Sequence, residues 1–144
     1  MKVLVALLVV TNPAWAECDP DQNMFMACSF PNGKYVEVCL TDELARYRYG
    51  RPGQSPELHL ALPYGDGAEF VPWQGIGRTI WEAVRFTNED VVYEVYGGFD
   101  RVEAVEWDPE TEVSPVFGGI YVEDRQGEVL ARLECTPGTV EYVF

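Results

Sequence analysis

Carboxylates dominate what this sequence could do chemically. Asp and Glu number 24 against 10 Lys and Arg, and His59 is the single histidine. A glycosidase needs only two carboxylates at a set separation, so a chain this acidic meets that requirement by coincidence and the signal is empty without geometry. A serine hydrolase would have to use His59. No Gly-x-Ser-x-Gly elbow accompanies any serine, and His59 alternates with Leu58 and Leu60, which places it on the polar face of a short strand. Gly75-Ile76-Gly77 is no nucleotide loop, because Ile80 stands where a third glycine would fall. Asp19, Asp21 and Asn23 copy the first ligand spacings of a calcium loop, but Met24 and Phe30 occupy the places of its turn glycine and closing glutamate. No catalytic residue, metal site or cofactor is therefore expected.

Two constellations suit binding better. Glu103, Glu106, Asp108, Glu110 and Glu112 surround Trp107, which combines negative charge with an aromatic anchor and would steer and then hold a cationic protein partner. The plainer alternative is a solvated acidic loop. Arg46, Arg48 and Arg51 interleave with Tyr47 and Tyr49, and with Trp73 and Arg78 they could stack on a cell-wall glycan or an anionic wall polymer. Here the plainer alternative is a strand with arginines on one side and tyrosines in the core, which alternation by itself dictates.

The start of the chain bears on the compartment. Met1-Lys2, the apolar run Val3 to Val10, the break at Asn12-Pro13 and then Ala14-Trp15-Ala16 form a cleavable secretion signal over residues 1–16, with a mature start at Glu17. The apolar run is far shorter than the roughly 20 residues that cross a bilayer, so no membrane span is expected. The formal net charge is −14, and loss of Lys2 with the signal makes residues 17–144, read as one domain, more acidic still. Such a charge repels nucleic acid and anionic lipid.

Cys18, Cys28, Cys39 and Cys135 all lie in the mature part. An even count in an oxidising compartment reads as two disulfides, and the absence of any Cys-x-x-Cys argues against zinc. Four cysteines allow three connectivities. The favoured pairing is Cys28 with Cys135 and Cys18 with Cys39, because the first bond then ties an early strand to a late one; Cys28 with Cys39 across one hairpin is the alternative.

Hydrophobic periodicity along the mature chain is two, as in Leu58-Leu60-Leu62 and Val129-Ala131-Leu133. Turns at residues 31–34, 87–90 and 124–127 join strands 24–30 to 34–40, 79–86 to 91–96 and 119–123 to 128–135. Further strands are expected at 43–49, 57–62 and 139–144. The total of about eight or nine antiparallel strands predicts an all-β domain, either a small barrel or a two-sheet sandwich. Residues 63–78 and 100–117 lack strand character and read as long loops. Thr41-Asp42-Glu43-Leu44 is the one capping-like start, sufficient for a short turn.

Ala27-Cys28-Ser29-Phe30, Asn32-Gly33-Lys34, Val38-Cys39, Ala45-Arg46-Tyr47-Arg48-Tyr49-Gly50 and the run Pro72 to Trp81 resemble a group of exported proteobacterial proteins of uncharacterised activity. The early strand with its cysteine, the Gly-Lys turn and the late cysteine are also similar in layout to the membrane-bound and periplasmic inhibitors of C-type lysozyme. That likeness implies a small acidic β-barrel. The inhibitors' Ser-Gly-x-x-Tyr loop has no counterpart here, so it implies architecture more than mechanism. The expectation is a non-catalytic periplasmic or secreted protein that binds a basic protein, with a wall-glycan-binding or envelope-structural role as the alternative.

Overall fold

The computed structural model describes residues 18–144; the expected signal segment lies outside the described residues. Two five-stranded antiparallel sheets stack as a sandwich. The first contains β1 (Asn23–Ser29), β2 (Tyr35–Leu40), β3 (Leu44–Gly50) and β4 (Leu58–Pro63), with β10 (Glu141–Tyr142) on the far side of β1. The second runs in sequence order through β5 (Ala68–Val71), β6 (Thr79–Asn88), β7 (Val91–Asp100), β8 (Phe117–Asp124) and β9 (Val129–Glu134). A six-residue helix, α1 (Arg101–Glu106), follows β7. The sheets remain separate, which decides for the sandwich over the closed barrel.

The period-two pattern determines which side chains meet. Met26, Val38, Tyr47 and Leu60 lie opposite one another across β1 to β4 and face inward. Across the interface Tyr47 meets Phe86 and Tyr93 of the second sheet, with ring centroids 5.4 and 5.6 Å apart. The next row on the outer face is Ala27, Glu37, Arg48 and His59. One residue of register therefore separates core from charge.

Adjacent glycines make room at the centre of the second sheet. Gly97 of β7 pairs with Gly118 of β8. A Cβ on Gly97 would stand 2.7 Å from the Tyr142 ring, and one on Gly118 would meet Met26 Cε at 3.3 Å and Cys135 Sγ at 3.4 Å. Strand glycine is found where another group must come close; at Gly97 that group is Tyr142 of the first sheet, and at Gly118 it is first the Tyr96 carbonyl oxygen of β7 at 2.9 Å. Cys28 of β1 bonds Cys135, the residue after β9, so this bridge joins the two sheets. Cys18 bonds Cys39 on the outer face of β2. This is the favoured pairing, and no cysteine is free.

Three expectations need correction. The stretch 63–78 contains a strand, β5, because Gly65 and Gly67 take positive φ (80° and 107°) and turn the chain into the second sheet, with Gly65 N–H donating to Ala68 O at 3.0 Å. The stretch 100–117 opens with α1. The final strand shrinks to Glu141–Tyr142, held where the Tyr142 ring packs on Phe25 at 5.7 Å and its hydroxyl donates to Glu82 at 2.8 Å. Thr41 makes a turn as expected: its hydroxyl accepts from the amides of Glu43 and Leu44 and leads into β3. Among the described residues no helix is long and apolar enough to cross a membrane.

The two disulfides close loops of very different length, with sequence separations of 107 and 21. In the chain-entropy model, removing Cys28–Cys135 costs about 4 to 5 kcal/mol and removing Cys18–Cys39 about 3 kcal/mol. Denaturant unfolding of the two double-alanine variants should show that order. Equal losses, or a larger loss for Cys18–Cys39, would contradict the view that the inter-sheet bridge dominates.

Candidate acidic docking site

The acidic segment is built on Asp100, the last residue of β7. Its Oδ1 accepts the amides of Val102 and Glu103 at 2.9 and 3.0 Å, the N-cap arrangement that satisfies orphan donors at a helix start. Its Oδ2 accepts Arg78 Nε at 2.5 Å. Glu103 in the first turn suits the positive end of the helix dipole. A helix of six residues does not persist by itself, so these contacts are what hold α1 in place. It ends at Trp107, where the backbone turns extended ahead of Pro109.

A second device follows at once. The Asp108 carbonyl accepts the amide of Glu112 at 2.9 Å, and its carboxylate accepts the Glu110 amide at 3.0 Å and the Thr111 hydroxyl at 2.9 Å. Glu112 returns a carboxylate oxygen to the Asp108 amide at 3.2 Å. Trp107 donates its indole N–H to the Glu112 carbonyl at 3.2 Å. The expected loop is thus an ordered turn in which Trp107, Asp108 and Glu112 are partly structural. Glu103, Glu106 and Glu110 are exposed and have no such task.

Arg78 belongs to this site. The hydrogen bond to Asp100 raises its pKa first, with its charge and those of Glu103 and Glu106 adding to the effect. The Asp100 carboxyl is lowered chiefly by the Arg78 hydrogen bond, and the two helix amides act in the same direction. Trp73 goes elsewhere: its ring packs edge-on against Phe144 at 6.2 Å, Phe144 in turn meets Phe99 at 6.3 Å, and the Trp73 indole nitrogen is buried without a hydrogen-bond partner.

The arginine and tyrosine patch does not assemble. Tyr47 is in the core and Tyr49 packs on Phe30 at 5.8 Å, while Arg46 pairs with Asp19 at 2.9 Å and Arg48 with Glu37 on the outer face of the first sheet. Alternation along β3 splits the two residue types between faces. Asp19 of the calcium-like stretch is committed to Arg46. His59 is exposed beside those arginines, and its pKa is lowered first by desolvation and then by Arg46 and Arg48.

Sequence reasoning missed Val102 and Val105, which are 42% and 86% exposed on α1. Their spacing of three is a helical signal, but it extends over too few residues to stand out. Comparisons with protein-family models, with curated proteins and with solved structures returned no match.

Asp100→Ala should remove amide-exchange protection at Val102 and Glu103 while leaving that of β7 intact. The Asp100 pKa is lowered in the fold, so its contribution is present above the ordinary carboxylate range and is lost as pH falls through the lowered value. Protection of the two amides measured by NMR should therefore persist at pH 5. Loss already at that pH, or unchanged protection in the variant, would show that Asp100 does not hold the helix.

Proposed function

We propose that this chain is an exported, non-catalytic binding protein, periplasmic or secreted, which docks a basic protein on α1 and the Asp108 turn. One observation carries the reading. Helix α1 buries none of its residues, yet it is capped, paired to Arg78 and followed by a second hydrogen-bonded turn. An element held so carefully that adds nothing to the core is there for what it presents to solvent.

What it presents is Val102 and Val105 amid Glu103, Glu106 and Glu110. Charge at the rim sets encounter rate and partner sign, and the apolar centre sets residence time. The cell-wall glycan alternative relied on an arginine and tyrosine patch, and those side chains point to opposite faces, so the acidic end is the better supported site. The resemblance of the early cysteine, Gly-Lys turn and late cysteine in the sequence to inhibitors of C-type lysozyme makes a basic C-type lysozyme the first probe.

Binding kinetics should be measured at low and moderate salt. The variant Glu103→Gln/Glu106→Gln/Glu110→Gln should associate about tenfold more slowly at low salt and converge with wild type at moderate salt. Asp108 is left in place because its carboxylate builds the turn. Val102→Ser/Val105→Ser should speed dissociation roughly tenfold with little change in association. If neither lysozyme nor other basic hydrolases bind the wild type at low salt, the reading fails.

A further inference from the structure

The outer face of the second sheet carries a feature that the acidic site does not use. Trp81 of β6 and Phe117 of β8 both lie opposite Gly98 of β7, one on each side, and both are 38% exposed. One row further on, Tyr96 lies opposite Gly119. A Cβ on Gly98 would come within 2.8 Å of Phe117 Cζ and 2.9 Å of Trp81 Cβ, and one on Gly119 within 2.8 Å of Tyr96 Cζ. The two glycines let aromatic side chains from the neighbouring strands close over the backbone. The strip continues from Tyr96 to Phe117 at 6.4 Å and to Tyr121 at 5.0 Å, and the Arg132 guanidinium lies 5.5 Å from the Tyr121 ring.

We propose that this strip binds an uncharged glycan chain, with Trp81 and Phe117 as its stacking residues. A pyranose ring offers an apolar C–H face to an aromatic ring and hydroxyls to polar groups at the margin, so it suits an aromatic strip bordered by hydrogen-bonding side chains. The border supplies both kinds. Tyr96 keeps its hydroxyl proton, its pKa pushed up to about 12 mainly by burial, and Arg132 and Glu134 add a donor and an acceptor on the adjoining strand.

Charge selects among occupants. Arg85, the cation on the β6 portion of this face, is already paired with Glu94 and with Glu123. A chain of net charge −14 repels an anionic polymer, and equally a second copy of itself. An uncharged polysaccharide meets no such barrier. The proposal uses none of the acidic-site residues, so the two readings stand or fall separately.

The test is titration calorimetry with the β-linked hexamers of N-acetylglucosamine and of glucose. Wild type should bind at least one of them with a dissociation constant between micromolar and millimolar. Trp81→Ala and Phe117→Ala, both at exposed positions, should each weaken binding about tenfold while far-ultraviolet circular dichroism stays unchanged. Val105→Ser should bind as wild type does. Absence of binding to both hexamers at millimolar concentration overturns the proposal. Binding that survives both aromatic variants does so too, as would sedimentation showing that the strip instead holds a second copy of this chain.

Discussion

The Cys28–Cys135 disulfide is the constraint on which the rest of the structure depends. It links β1 to the end of β9 across the two layers, with a sequence separation of 107 residues. Where the sheets meet beside this bridge, Gly97 is required beneath the Tyr142 ring, which a Cβ would meet at 2.7 Å, and its partner Gly118 is required by the Tyr96 carbonyl oxygen, 2.9 Å from its Cβ position, with Met26 and the Cys135 sulfur in contact beyond. With those approaches in place, Met26, Tyr47, Phe86 and Ile120 fill one continuous core. A larger residue at Gly97 would push against Tyr142 of the first sheet where the covalent bond draws the layers together.

With the interior settled, the molecule's acidity falls to its surface. Part of it is neutralised in place, by Arg48 on Glu37 and by Arg85 on Glu94 and Glu123. Part secures local structure, as Asp100 and Asp108 do. The carboxylates of Glu103, Glu106 and Glu110, around α1, take no part in the hydrogen bonds and ion pairs described above. Edge strands face a different demand, since unpaired edges invite association. β5 and β10 are short, with four and two residues, and the β8–β9 pairing is broken by a bulge near Val122 and Glu123. All three are recognised ways of blunting an edge.

The all-β class, the strand-rich order and the presence of two disulfides were legible in the sequence, because alternation and cysteine number are local or countable signals; which cysteines pair was not, since three connectivities fit the count. The barrel and the sandwich were not separable, since they differ in whether edge strands close on each other, which periodicity does not report. β5 was hidden because its four residues follow Tyr64-Gly65-Asp66-Gly67, a turn-rich run that reads as loop. α1 was hidden for the opposite reason: its N-cap lies in the hydrogen bonds that the Asp100 side chain accepts from the Val102 and Glu103 amides, and the sequence writes Asp100 as one more acid among many. Arg78, which the sequence grouped with Trp73 and the arginine and tyrosine patch, lies instead with the acidic segment through Asp100, whereas Trp73 packs into the carboxy-terminal aromatic cluster. Five residues of separation do not say which way each side chain turns.

The central claim is that α1 and the Asp108 turn form the docking element for a basic protein. The most direct measurement is an NMR titration of isotope-labelled protein with unlabelled C-type lysozyme at low ionic strength. The account predicts amide shifts concentrated between Arg101 and Glu112 and at Arg78, fading as salt is raised because exposed charges are screened within roughly 8 Å at physiological ionic strength. Shifts confined to the Arg46 and Arg48 face of the first sheet, or none at any salt concentration, would contradict it.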